Sequence, residues 1–200
     1  MKNLKDNPDE GFSLLEVVVA ILMIFFFTTT ALQMLVVSSF FKKQATQYTT
    51  AINLIQQDME KIKSAADTYS LTTALTNTSC NPTTSSSGMA TYFMNSLPTT
   101  ATGISNTAYT VTVNGNAIIY NAVIGTPTLL KSQYYWLLRN QTVSTDAPYN
   151  VLKLNYVVQA GTATSPYTDA STAIDLLVRT PLSTSYTEVI PYASLQCPSQ

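Results

Sequence analysis

Residues 11–37 read GFSLLEVVVAILMIFFFTTTALQMLVV, and the architecture turns on this stretch. From Phe12 to Phe41 the only ionisable side chain is Glu16. Val17 to Val37 is an uncharged run of about 20 residues, and at about 1.5 Å rise per residue a helix of that length spans about 30 Å, the thickness of a bilayer's hydrocarbon. Thr28, Thr29, Thr30 and Gln33 interrupt the run without charging it, and such residues are tolerated in a helix that packs on other helices. The segment reads as a membrane-spanning helix with protein as well as lipid neighbours.

Two plainer readings compete. Val17 to Phe27 fits the apolar region of a secretory signal, with Thr29-Thr30-Ala31 as a poor small-residue cleavage site. Against it, the first ten residues set Asp6, Asp9 and Glu10 beside Lys2 and Lys5, so the expected positive flank is missing. An uncleaved signal anchor explains the apolar run but gives Glu16 no task, although a charge at bilayer depth costs about 3 kcal/mol. If the chain is cut between Gly11 and Phe12, the new α-amine and Glu16 stand four residues apart, one helical turn on one face. Opposite charges then meet, within a subunit or between neighbours.

Gly11-Phe12-Ser13-Leu14-Leu15-Glu16, directly before an apolar run, resembles the class III signal of type IV prepilins and type II secretion pseudopilins. The resemblance is specific over residues 11–66 and architectural beyond. It implies that Gly11 precedes the prepilin-peptidase cut, that Phe12 becomes the N-methylated terminus, and that Glu16 pairs with a neighbour's terminus during assembly. The implied partners are the peptidase, other pilin subunits, an inner-membrane assembly platform with its ATPase, and membrane lipid before assembly. The implied location is a single-pass inner-membrane precursor with an extracytoplasmic head, later a filament. Within the family, the irregular Ser/Thr-rich head and a loose likeness over Asn53 to Lys63 lean toward a minor pilin or pseudopilin. The competing class is a membrane-anchored extracytoplasmic binding module or enzyme.

Beyond the membrane the helix is expected to continue with one apolar face. Phe41, Ala45, Tyr48, Ile52, Ile55, Met59, Ile62 and Ala66 recur at alternating intervals of four and three, while Lys42, Lys43, Gln47, Gln56, Gln57, Glu60, Lys61 and Lys63 lie off that line. A coiled coil would show the same spacing, but the flanking positions lack ordered complementary charges, which favours packing against a sheet. Residues 70–88 are rich in Ser, Thr and Asn and read as a long loop or a disordered linker. Strand signals follow: Tyr109 to Val113, a tight turn at Asn114-Gly115, then Ala117 to Ile124, Tyr134 to Arg139, Val151 to Gln159 and Ala173 to Arg179. The expected class is α+β, one long N-terminal helix over an antiparallel sheet. The organisation divides into a leader at 1–11, an assembly helix at 12–40, its amphipathic extension at 41–69 and a head at 70–200.

Cys80 and Cys197 are the only cysteines. In an exported domain they have an oxidising environment, and a bridge closing so long a loop is worth about 2 to 5 kcal/mol. Pilins often staple their C-terminal region, and the resemblance adds to that expectation; two separate thiols are the alternative. The chain has 200 residues, 46% of them hydrophobic, and carries a net charge of −1, so no basic footprint for nucleic acid exists. With no histidine, the usual zinc ligand and every Ser-His or Cys-His pair are excluded, and two cysteines supply half of a zinc shell. The acids of the head, Asp146, Asp169, Asp175 and Glu188, are scattered, and the six glycines form no phosphate-cradling loop. Tyr134, Tyr135 and Trp136 would suit a stacking platform but read better as strand core and edge positions. The expectation is a structural subunit, not an enzyme, with no cofactor and no metal.

Overall fold

The computed structural model describes residues 14–70, 79–97, 109–113, 116–130, 133–166 and 181–197. The chain divides into two compact units, Met1–Thr46 and Gln47–Gln200. A single helix, α1, runs Leu14–Thr68 and supplies all that is described of the first unit.

Within that first unit, Val17 to Val37 carries no charged side chain on any face of the helix. Leu14 is 83% exposed and Phe27 72%, and the helix is long and apolar enough to cross a membrane. An uncharged, largely apolar surface suits lipid or helical neighbours and not water. The Thr28, Thr29 and Thr30 hydroxyls donate to the carbonyls of Ile24, Phe25, Phe26 and Phe27 at 2.8 to 3.0 Å. Their donors are thus satisfied within the helix, which removes most of the cost of placing them in hydrocarbon.

The second unit contains the rest of α1, a short helix α2 (Met89–Ser96) and six strands: β1 (Tyr109–Val113), β2 (Asn116–Tyr120), β3 (Ala122–Leu130), β4 (Gln133–Val143), β5 (Leu152–Gly161) and β6 (Ser183–Val189). Strands β3-β4-β5-β6 form an antiparallel sheet in that order, and β1 and β2 form a separate hairpin. The sheet is covered on both faces. From α1, Ala51, Ile55, Ile62 and Ala66 pack on Tyr135 and Leu137 of β4 and on Leu152, Leu154, Tyr156 and Val158 of β5, with Phe93 of α2 completing this core. On the opposite face, Trp136, Leu138 and Val157 meet Val111 and Tyr120 of the hairpin. Burial on both sides explains why β4 lacks the in-out alternation of a half-solvated strand. Each buried Ile or Leu contributes about 1.5 to 3 kcal/mol by removal from water.

The architecture is α+β, with a long N-terminal helix and antiparallel sheets, as the sequence led us to expect. Several details differ. The 3.5-residue apolar line holds at Ile55, Ile62 and Ala66, but Tyr48 and Ile52 are 44% and 45% exposed, and Phe41 and Ala45 are exposed as well. The buried line passes through Ala51 and Asp58 instead. The reason is geometric: a straight α-helix drifts about 20° per heptad against a 3.5-residue repeat, so a line fitted at Ile62 leaves the sheet by Tyr48. The single strand expected over Ala117 to Ile124 breaks at Asn121 into β2 and β3. Two elements were missed, α2 and the Ser/Thr-rich β6, whose residues carry little periodic apolar signal.

Strand β3 also continues past Gly125 and Pro127, which punctuation rules would place in a turn. Ile124 pairs with Leu137 and Thr128 with Tyr135, so Gly125, Thr126 and Pro127 stand against Trp136 alone. Gly125 has φ +70°, open to glycine without strain, and this wide irregularity lies on an edge strand, where bulges and prolines are tolerated. The strand expected at Ala173 to Arg179 and the turn at Asn114-Gly115 lie outside the described residues; the register Val113 to Asn116 flanks that turn.

Candidate functional site

Glu16 occupies the first turn of α1 and is exposed, within otherwise apolar surroundings in sequence. Gly11 and Phe12 lie outside the described residues. The first functional constellation therefore appears only in part, as an acid exposed at the head of an apolar rod.

Cys80 and Cys197 form a disulfide with their Cα atoms 5.4 Å apart, closing a sequence separation of 117 residues. The bridge belongs to a small cluster in which Met89 and Ala193 are buried and Tyr69 packs beside them. The Ala193 N–H donates to the Tyr69 carbonyl at 2.9 Å, so the C-terminal 3-10 turn (Tyr192–Gln196) is tied to the residue following α1. Tyr69 also meets Phe93 edge to face, with ring centroids 5.2 Å apart. Covalent and non-covalent ties thus join the C-terminal turn, α2 and the end of α1 at one place.

A polar lock lies at the centre of the helix-sheet interface. Arg139 of β4 places a guanidinium nitrogen 2.8 Å from Asp58 Oδ2, and the Tyr156 hydroxyl donates to the same oxygen at 2.8 Å. Arg139 is 1% exposed and Asp58 7%. Burial, and then the neighbouring Asp58 carboxylate, push the Tyr156 phenol well above its ordinary value, with Arg139 opposing in part. Burial likewise raises Tyr120 and Tyr135. Sequence reasoning passed over Asp58. The available signal was its place three residues after Ile55 and four before Ile62, where an acid on an apolar line requires a buried partner.

Among the described residues no cluster of three or more His, Cys, Asp or Glu could hold a metal ion. Asp146 and Glu188 are both exposed, Glu188 accepting a hydrogen bond from Tyr186, while Asp169 and Asp175 lie outside the described residues. Tyr135 and Trp136 are buried in β4, Trp136 donating its indole N–H to the Thr162 carbonyl at 2.9 Å, so they are core and not an exposed stacking platform. No family model, no curated protein and no solved structure matches the chain at a significant level.

Proposed function

We propose that the chain is a structural subunit, of the minor kind, of a type IV pilus or related secretion filament. It is inserted by its apolar helix as a membrane precursor, clipped by a prepilin peptidase after Gly11, methylated at Phe12 and polymerised through α1 by an assembly platform and its ATPase. The observation that carries the reading is Gly11-Phe12 placed four residues before Glu16 at the head of the apolar helix. Cleavage supplies a cation within one helical turn of the carboxylate, and in a low-dielectric bundle such a pair is far stronger than in water. Two further features support it: the apolar surface of α1 gains by contact with identical rods, and the Cys80–Cys197 bridge suits a head on the oxidising side of the membrane.

Mass spectrometry of the N-terminus, on chain recovered from cells that hold the processing machinery, tests the proposal. The expected product starts at N-methylated Phe12. A chain that still starts at Met1 supports instead a membrane-anchored binding module or enzyme, and one cut after Ala31 supports an ordinary secretory signal. Copy number in sheared filaments separates a minor from a major subunit.

A further inference from the structure

Between the disulfide and the β4–β5 connection lies a cleft of about 450 Å³, within the size range of small-molecule sites. Three segments distant in sequence converge on it: residues 79–82, the loop at 147–150, and the C-terminal turn with Ser194 and Cys197. The disulfide joins two of the segments, and the third is held by Tyr149, whose carbonyl accepts the Ala90 N–H at 3.3 Å. Tyr149 has φ +55°, a left-handed conformation rare for a bulky side chain. Residues held in such conformations are over-determined by their surroundings and concentrate at binding sites. Gly88 permits this close approach, since a Cβ at that position would stand 2.5 Å from the Tyr149 carbonyl oxygen. The strained residue lies between Pro148 and Asn150, both of which line the cleft.

The lining specifies the chemistry. Among the described residues that form it there is no Asp, Glu, Lys or Arg. Asn81 and Asn150 offer amides that make no side-chain hydrogen bond to any described residue. The Ser194 hydroxyl donates to the Pro191 carbonyl at 2.7 Å and keeps its lone pairs for an incoming donor. Pro82 and Pro148 supply apolar patches between these groups, with the buried Met89 behind them. Two amides, a hydroxyl acceptor and apolar patches, with no charged group among the described lining residues, complement a molecule bearing both hydroxyls and C–H faces. We propose that this cleft is a binding site for a neutral saccharide unit, held by Asn81 and Asn150. The assignment is independent of the filament reading, because it uses only residues of the head.

Saturation-transfer NMR on the full, oxidised chain in phosphocholine-detergent micelles tests it, with glucose, galactose and N-acetylglucosamine as separate probes and glucuronate as the charged control. At least one neutral sugar is expected to receive saturation and to shift the Met89 methyl resonance in the unmutated protein, with glucuronate weaker. Loss of two neutral hydrogen bonds in Asn81→Leu/Asn150→Leu is expected to weaken binding about tenfold or more. The Met89 shift needs no variant, so a folding defect in the double mutant leaves the test intact. Absence of transfer and of a Met89 shift with all three sugars overturns the proposal, as does equal binding of glucuronate.

Discussion

Asp58 on α1 and Arg139 on β4 are 81 residues apart in sequence and form an ion pair at 2.8 Å inside the head. The same carboxylate oxygen accepts the Tyr156 hydroxyl, so one acid ties the helix to two adjacent strands. Apolar contacts along α1 allow sliding by small steps, whereas this constellation has one register. It fixes which turn of α1 faces the centre of the sheet.

Removing one partner leaves a buried charge. Arg139→Met alone is expected to lower stability by about 3 to 5 kcal/mol, while Asp58→Leu/Arg139→Met recovers most of that loss because no charge is stranded. Thermal unfolding of the full chain in micelles, followed by near-ultraviolet circular dichroism, measures both. Equal losses in the single and double variants would show that packing, not charge, decides the cost.

The Tyr156 phenol titrates above its unfolded value, so the folded state holds that proton more tightly. Its contribution to stability is complete below about pH 10, the unfolded pKa, and is lost as pH rises toward the folded value. Alkaline titration of stability is expected to show a decline beginning near pH 10. In Tyr156→Phe the decline becomes shallower by one proton and the starting stability falls by about 1 kcal/mol for the lost hydrogen bond. An unchanged slope rejects the assignment.

The Cys80–Cys197 bridge closes a loop long enough for its removal to cost about 2 to 5 kcal/mol. Cys80→Ser/Cys197→Ser is expected to melt lower by that amount and to release the C-terminal turn first. Hydrogen exchange at Ala193, whose N–H is bonded to the Tyr69 carbonyl, reports the release.

Gly88 sits against Tyr149 with no room for a methyl group. Gly88→Ala is expected to cost about 1 to 3 kcal/mol, since the obstacle is backbone oxygen and not a side chain able to swing away. Protease sensitivity at residues 147–150 is the local readout, and a variant as resistant as the parent contradicts the close approach.

At the other end of the chain, Gly11→Val is expected to leave an unprocessed precursor in the membrane. Glu16→Val is expected to be processed but poorly incorporated into filaments. Sheared-filament yield against total processed chain gives the ratio, and normal incorporation of the Glu16 variant removes the role assigned to that carboxylate.

What was legible in the sequence follows the strength of the physical signal. An uncharged run the length of a bilayer announces a long apolar helix, and the alternation of Tyr109 to Val113 announces a strand, which pairs with Asn116–Tyr120. Cysteines confined to one pair leave one possible intramolecular bridge, Cys80 to Cys197. By contrast β6 is Ser-Thr-Ser-Tyr-Thr-Glu-Val, an edge strand mostly half-buried or exposed, and its pairing is decided by the β5 backbone beside it. The hidden pairing of Asp58 with Arg139 was illegible for a related reason. The place of Asp58 between Ile55 and Ile62 calls for a buried partner, but nothing local links position 58 to 139 or 156.

The bridge has a mechanical consequence. Every described strand of the head lies between Cys80 and Cys197, inside a covalently closed ring. Tension applied between α1 and the chain at Cys197 travels across the sulfur atoms and bypasses the six described strands. Under load the sheet is a shielded passenger, and in single-molecule stretching with attachment at those two places its contour length appears only after a reductant opens the ring.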